Sequence, residues 1–194
     1  MKKTKILGVS GYIFSGKTFA GSFFERKGFY FIDADAVVDD LYAIGEPGWR
    51  RIRDYFGEAY LRSDGSINRM KLAKLVFGDA RKLLMINNLI HPLVHAEIFR
   101  RINRRKAEYA VIEATYFRPK QLLDIVDKVL WIDCADDVLL KRAIKAGMDA
   151  KMFHAIKVVQ EKPARIDYCI VNNGSKIEFM RNLEKVYKMF LVVS

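Results

Sequence analysis

Five short, almost wholly apolar runs recur along the 194-residue chain and restrict its fold more than any other feature: "KILGVS", "YFID", "YAVIEA", "KVLWID" and "YCIVNN". A strand with one face in water alternates apolar and polar residues, whereas these runs are apolar almost throughout, as befits strands covered on both faces. Each is followed by a turn or a helix-like segment, and that alternation argues for parallel strands joined by helical crossovers. The sequence therefore predicts an α/β fold with a five-stranded parallel sheet in one domain that carries insertions. The core falls at residues 1–36, 107–140 and 166–194.

Between the second run and the third, an insertion from about Val37 to Lys106 lacks any strand-like run and reads as a helical subdomain. "GEPGWRRIRDYFG" has a proline near a helix start and a glycine at its end, and "LIHPLVHAEIFRRINRR" places Pro92 at a first helical turn. A second helical stretch runs from Asp136 to about Glu161. In the closing "SKIEFMRNLEKVYKMF", Ile177, Met180, Leu183, Val186, Tyr187 and Phe190 form one apolar stripe at helical spacing.

Composition narrows the class of protein. With 51% apolar and 29% charged residues, the chain has the balance of a globular protein rather than a disordered or membrane one. The start "MKKTKILGVSGYIF" imitates a leader peptide, but glycines break its apolar run and no small-residue cleavage site follows. No run approaches the roughly 18 apolar residues of a membrane span. A cytoplasmic protein with no membrane partner is expected. Cys134 and Cys169 show neither metal-ligand nor redox spacing and are expected as reduced, buried thiols.

A net charge of +11 calls for an anionic partner such as a nucleotide, nucleic acid or anionic lipid. The basic clusters "WRRIRDYF" and "FRRINRRKAEY" fall at helical spacing without an aromatic stacking pattern, so they read as solvated helix faces and no nucleic-acid partner is expected.

The chemistry is concentrated in "GVSGYIFSGKTF". Gly11, Tyr12, Ile13, Phe14, Ser15, Gly16, Lys17 and Thr18 match G-x-x-x-x-G-K-[ST] between a strand-like run and a helix-like one, the setting of a P-loop. Glycines allow backbone that points successive N–H groups at phosphate oxygens. Lys17 can reach the β and γ phosphates, and the Thr18 hydroxyl can bind Mg²⁺, while the helix beginning there turns its positive end toward the anion. Asp33 and Asp35 follow at the C-terminal end of the second strand, on the sheet edge that also holds the P-loop. If the strand runs on to Asp35, both carboxylates share one face; helix capping is the alternative role for either. Glu113 ends the third strand, where it can hold Mg²⁺ through water or serve as a structural hydrogen-bond acceptor. His91 and His95 have the spacing of a metal pair on a helix, but no third ligand follows at a known spacing.

The P-loop, the D-A-D after the second strand, "DGSINRMKLAKLVF", "NNLIHPL", "VLWIDCADDVLLKR" and "IVNNGS" occur in one order over nearly the whole chain. In this the sequence resembles the dephospho-coenzyme A kinase family. The resemblance implies a P-loop three-layer α/β/α fold with a helical substrate subdomain at about 37–106 and a helical lid at about 141–165. It also implies transfer of the ATP γ-phosphoryl group to the ribose 3′-hydroxyl of dephospho-CoA with Mg²⁺. By motif match, Asp35 is the catalytic base, with Asp33, Arg69 and His91 on the substrate side. Lys17 and Thr18 serve ATP and the metal, Arg142 lies at the lid, and Asn173 and Gly174 lie by the adenine. The chain departs from the family in four places, one of them a stretch from Gln160 to Asp167 that is several residues shorter than usual. Tyr12 stands where a glycine is usual, "EATYFRP" replaces the usual Pro-Leu-Leu, and "LKRAIKAGMDAKMF" offers Lys145 and Lys151 where a lid arginine is usual. The alternatives are a P-loop kinase for another nucleoside or nucleotide, a nucleotide-binding protein without turnover, and a basic nucleic-acid binder.

Overall fold

The apolar runs form the strands β1 (Lys5–Gly11), β2 (Tyr30–Asp33), β3 (Tyr109–Glu113), β4 (Lys128–Asp133) and β5 (Tyr168–Val171). The helices are α1 (Lys17–Arg26), α2 (Ala34–Leu41), α3 (Pro47–Phe56), α4 (Arg69–Val76), α5 (Ala80–Arg105), α6 (Leu122–Ile125), α7 (Asp136–Lys145), α8 (Ala150–Val158) and α9 (Lys176–Val192). This computed structural model describes residues 3–76, 80–115, 117 and 122–192. Phe77 of the motif "DGSINRMKLAKLVF" and Tyr116, Arg118 and Pro119 of "EATYFRP" lie outside the described residues. Among the described residues, no helix is long and apolar enough to cross a membrane.

The chain divides into two units, Met1–Asp33 with Arg105–Ser194, and Ala34–Arg104. The first is built on a parallel sheet of order β2-β3-β1-β4-β5. Parallel neighbours need crossovers, and α1, α6 and the α7–α8 pair supply them within this unit. Leu7 and Val9 of β1, Val111 of β3, and Leu130 and Ile132 of β4 pack with Phe24 of α1 and Leu183 and Phe190 of α9. Burying each such side chain contributes roughly 1.5–3 kcal/mol, so this layer is a main source of stability. On the other face of β1, a Cβ at Gly8 would lie 2.8 Å from Phe117, so β1 is covered on both sides.

Three expectations are corrected. In α9 the buried stripe is Phe179, Leu183, Val186 and Phe190, while Ile177 is 72% and Met180 39% exposed. The helix is rotated so that Phe179 faces the core, with the period running 179, 183, 186, 190. Cys169 is exposed because β5 is the outermost strand, of which only Ile170 is buried. Pro92 sits inside the 26-residue α5 rather than in its first turn. A mid-helix proline loses one backbone hydrogen bond; here Ile90, Val94, Ile98 and Ile102 are buried at four-residue spacing on both sides of it and carry the helix through.

The second unit is helical apart from a one-turn 3₁₀ segment (Glu58–Tyr60) and an isolated antiparallel bridge between Leu61 and Ile67. Trp49 Nε1 donates to Gly65 O at 2.8 Å, fastening α3 to the turn inside that bridge. Asn68 Oδ1 accepts from Lys71 N at 3.0 Å and caps α4. Glu97 of α5 accepts from Arg100 at 2.7 Å and from Arg101 at 2.8 Å, and Arg101 also reaches Asp40 of α2 at 2.7 Å. The Arg100 bonds, with those of Arg101 behind them and against the effect of burial, hold the Glu97 carboxyl down to about 2.

Candidate active site

β1 ends at Gly11, and the loop to α1 turns through two left-handed residues, Phe14 at φ 63° and Gly16 at φ 105°. Such turns direct consecutive backbone N–H groups to one side, forming a nest for an anion. The first amides of α1 lack intrahelical acceptors and point the same way. The loop is tight: a Cβ at Gly11 would lie 2.4 Å from Ser15 Oγ and 2.6 Å from Ile132 O, and one at Gly16 would lie 2.8 Å from Asn172 Nδ2. Tyr12 O accepts from Ser15 N at 3.0 Å and from Lys17 Nζ at 3.2 Å, so the lysine folds back over the loop.

Thr18 Oγ1 donates to Glu113 Oε1 at 2.9 Å. Glu113 is 7% exposed and is paired in register with Asp33 of β2, so the two strand ends bring two carboxylates to the edge where α1 brings the Thr18 hydroxyl. Hydroxyl and carboxylate oxygens are the hard donors that Mg²⁺ takes. Among the described residues no group of three or more His, Cys, Asp or Glu side chains is arranged to hold a metal by itself.

On its other side the loop is held by the end of β5. Asn172, 7% exposed, donates from Nδ2 to Ser15 O at 2.8 Å. Its own carbonyl accepts from Arg142 at 2.9 Å and from Cys134 Sγ at 3.2 Å, and burial pushes the Cys134 thiol up, which keeps it a donor. Arg142 also reaches Phe14 O at 3.3 Å. Phe14, Arg142 and Asn172, with Phe19, Gly174, Lys176 and Phe179, line a cleft of about 240 Å³ next to the loop, apolar on its aromatic side and cationic at its rim. Asn173 points elsewhere, its Oδ1 accepting from Ala135 N at 2.7 Å at the start of α7.

Three consecutive loop residues touch the α7–α8 region. Lys157 Nζ of α8 lies 5.0 Å from the centre of the Tyr12 ring. Gln160 Oε1 accepts from Ile13 N at 2.9 Å, and Arg142 of α7 reaches Phe14. Tyr12, Ile13 and Phe14 also pack against the buried cluster of Leu139, Ala143 and Phe153. Lys145 and Lys151 are exposed.

The remaining sequence candidates belong to the second unit. β2 stops at Asp33, so Asp35 does not share a strand face with it; Asp35 stands in the first turn of α2, where a carboxylate complements the helix dipole. Arg69 pairs with Asp39 and lies 5.3 Å over the Tyr42 ring, whose hydroxyl pKa is raised by burial. His91 is half-buried in α5, in the turn before Pro92. Sequence reasoning missed Asn172, Lys157 and Gln160. Asn172 had a signal, since an asparagine directly after an apolar strand run is buried only if a neighbouring loop uses its amide. Lys157 and Gln160 had none, because more than 140 residues separate them from the loop they touch.

Comparison with known proteins gives the family and the fold. The family described as "CoaE: Dephospho-CoA kinase" matches residues 5–178. Dephospho-CoA kinase of Lactobacillus johnsonii is 33% identical over 180 residues, covering 89% of this chain and 91% of that protein. The Aquifex aeolicus enzyme of the same name is 31% identical over 190 residues, covering 95% and 96%. Among solved structures, TT1252 from Thermus thermophilus superposes with a TM-score of 0.81 at 23% identity over 98% of each chain. Dephospho-CoA kinase from Campylobacter jejuni superposes with a TM-score of 0.59 at 19% identity over 96% and 97%, and both likenesses speak to the fold.

Proposed function

The chain belongs to the dephospho-CoA kinase family, and on that premise we propose that it transfers the γ-phosphoryl group of ATP to the ribose 3′-hydroxyl of dephospho-CoA. The observation that carries the proposal is the nest at residues 11–18 with the Thr18–Glu113 oxygens at its edge. A kinase for small alcohols needs little covalent chemistry from the protein; it needs phosphates held in place, charge neutralised and the hydroxyl aligned.

The loop amides and Lys17 hold the phosphates, and the cleft between Phe19, Phe179 and Arg142 takes the base, with Gly174 on its wall. Thr18 and Glu113 are the residues that would hold Mg²⁺, which when bound offsets phosphate charge. The acceptor side is assigned to the second unit, with Arg69 and His91 lining the acceptor and the α7–α8 segment serving as the lid. Asp35 accepts the proton of the attacking hydroxyl, whose oxygen bonds to the γ-phosphorus as the bond to the β-phosphate bridging oxygen breaks and ADP leaves. Asp33, at the end of β2, orients that hydroxyl.

The test is ADP release with ATP, Mg²⁺ and dephospho-CoA, beside reactions with no acceptor and with plain nucleosides, the product identified by mass. A product heavier by one phosphoryl group only with dephospho-CoA is the expected result. Turnover only on another acceptor would overturn the acceptor, and silence throughout would overturn the activity.

A further inference from the structure

Tyr12, one of the departures from the family pattern, lies against a lysine of the lid segment. Tyr12 is a bulky residue inside the phosphate loop, and the lid carries lysines where an arginine is usual. In the structure the lysine that comes to the loop is Lys157, with its ammonium 5.0 Å from the centre of the Tyr12 ring and its side chain 20% exposed. We infer that Tyr12 and Lys157 form a coupled pair in which the aromatic ring seats the Lys157 ammonium at the mouth of the phosphate loop, so that Lys157 is the lid cation that stabilises the transferring phosphoryl group.

Geometry rather than charge separates the two cations. Arginine holds a phosphate with a rigid fork, whereas lysine is a flexible stem with a rotating ammonium and loses its positioning unless something fixes it. Two things fix it here. The face of Tyr12 attracts the cation through its ring quadrupole, and Asp136 Oδ2 accepts one of its protons at 2.6 Å. An ammonium has three donors, and those not directed at Asp136 are the ones offered to phosphate oxygens. Tyr12 is in turn held edge-on by Trp131, the ring centres 5.0 Å apart at 84°, so the seat is part of the sheet's own packing. Gln160, one turn beyond Lys157, bonds Ile13 N–H and keeps this end of the lid against the loop. A glycine at residue 12 would remove the seat.

The inference rests on the kinase activity proposed above, and its test separates the two. kcat and KM for ATP are measured with dephospho-CoA for the wild type, Lys157→Ala, Lys157→Arg, Tyr12→Leu and the Tyr12→Leu/Lys157→Ala double variant. Calorimetric affinities for ADP–Mg²⁺ are measured with and without aluminium fluoride, a mimic of the transferring phosphoryl. Removing one preorganised donor from a developing anion costs roughly a hundredfold in rate. Lys157→Ala is expected to lower kcat by about that factor with KM for ATP changed less than about threefold. The aluminium fluoride complex should weaken in parallel while ADP alone does not. Lys157→Arg should recover most of the rate, and Lys157→Ala should cost less than about threefold once Tyr12 is leucine, because coupled residues are not additive. Lys157→Ala with normal kcat and normal aluminium fluoride affinity would overturn the role of Lys157. Equal weakening of ADP with and without aluminium fluoride would reduce it to a structural residue, and full additivity of the two substitutions would overturn the coupling. A wild type inert toward dephospho-CoA would overturn the acceptor assignment, and the aluminium fluoride titrations would still decide the pair.

Discussion

Replacing Asn172 by alanine should loosen the phosphate loop from the far end of the sheet. Asn172 Nδ2 donates to Ser15 O at 2.8 Å, and Ser15 is fully buried, so no water takes over when the amide is removed. Orphaning a buried carbonyl costs about 1–3 kcal/mol. In a chain of this length each kcal/mol lowers Tm by about 2–4 °C, so a mid-range loss of about 2 kcal/mol should make Asn172→Ala melt roughly 4–8 °C lower. The same loss biases the loop away from its binding conformation, and apparent affinity falls with the competent fraction. A 2 kcal/mol loss borne wholly by the loop would raise the Kd for ATP about thirtyfold, and one shared with the rest of the unit about tenfold. Scanning fluorimetry with a dye and calorimetric ATP titration read the two quantities separately. A Tm within about 1 °C of wild type together with an ATP Kd within about twofold would mean that the Ser15 carbonyl does not depend on Asn172, contrary to the measured thresholds for a buried orphan.

Further outcomes follow from other parts of the site and fold. Asp35→Asn should lower turnover by roughly a hundred- to ten-thousand-fold while lowering the melting temperature by no more than about 2–4 °C, and near-normal turnover would remove Asp35 as the base. Gly16→Ala should weaken ATP binding more than about tenfold, since it imposes a left-handed strain of about 1–2 kcal/mol and brings a Cβ within 2.8 Å of Asn172 Nδ2; a variant that still binds ATP normally would show that the loop can reshape. Glu97 has a folded pKa of about 2, below its ordinary 4.5, so its contribution to stability is present above pH 4.5 and fades as pH falls toward 2. The stability difference between wild type and Glu97→Gln, from denaturant melts, should therefore shrink over that interval; it is expected to be on the order of 1 kcal/mol at neutral pH because Arg100 is solvent-screened, and a pH-independent difference would refute it.

The sheet was legible in the sequence because its central strands β1, β3 and β4 are buried almost throughout and must be apolar, which leaves runs that are hard to mistake. The loop was legible because its glycines, lysine and threonine each meet a local need. What escaped depended on distant partners. The rotation of α9 is decided by Phe179 packing under the loop, not by the local stripe, which fits Ile177 and Met180 equally well. Pro92 follows a local rule for helix starts, yet the four-residue spacing from Ile90 to Ile102 overrides it. Asp35 looked like a strand residue because nothing in "IDADAV" marks the turn into α2. The lid contacts join residues 12–14 to residues 142–160, and only the fold brings those together.

The edge-on packing of Trp131 against Tyr12 also has an experimental meaning. The chain contains two tryptophans, Trp49 in the helical unit and Trp131 in the sheet unit. Each unit thus carries its own intrinsic chromophore, one beneath the Arg53 guanidinium and one against the phosphate loop. A Trp49→Phe variant would leave the Trp131 signal at the loop and a Trp131→Phe variant the Trp49 signal in the helical unit, so events in each unit can be timed separately without a label.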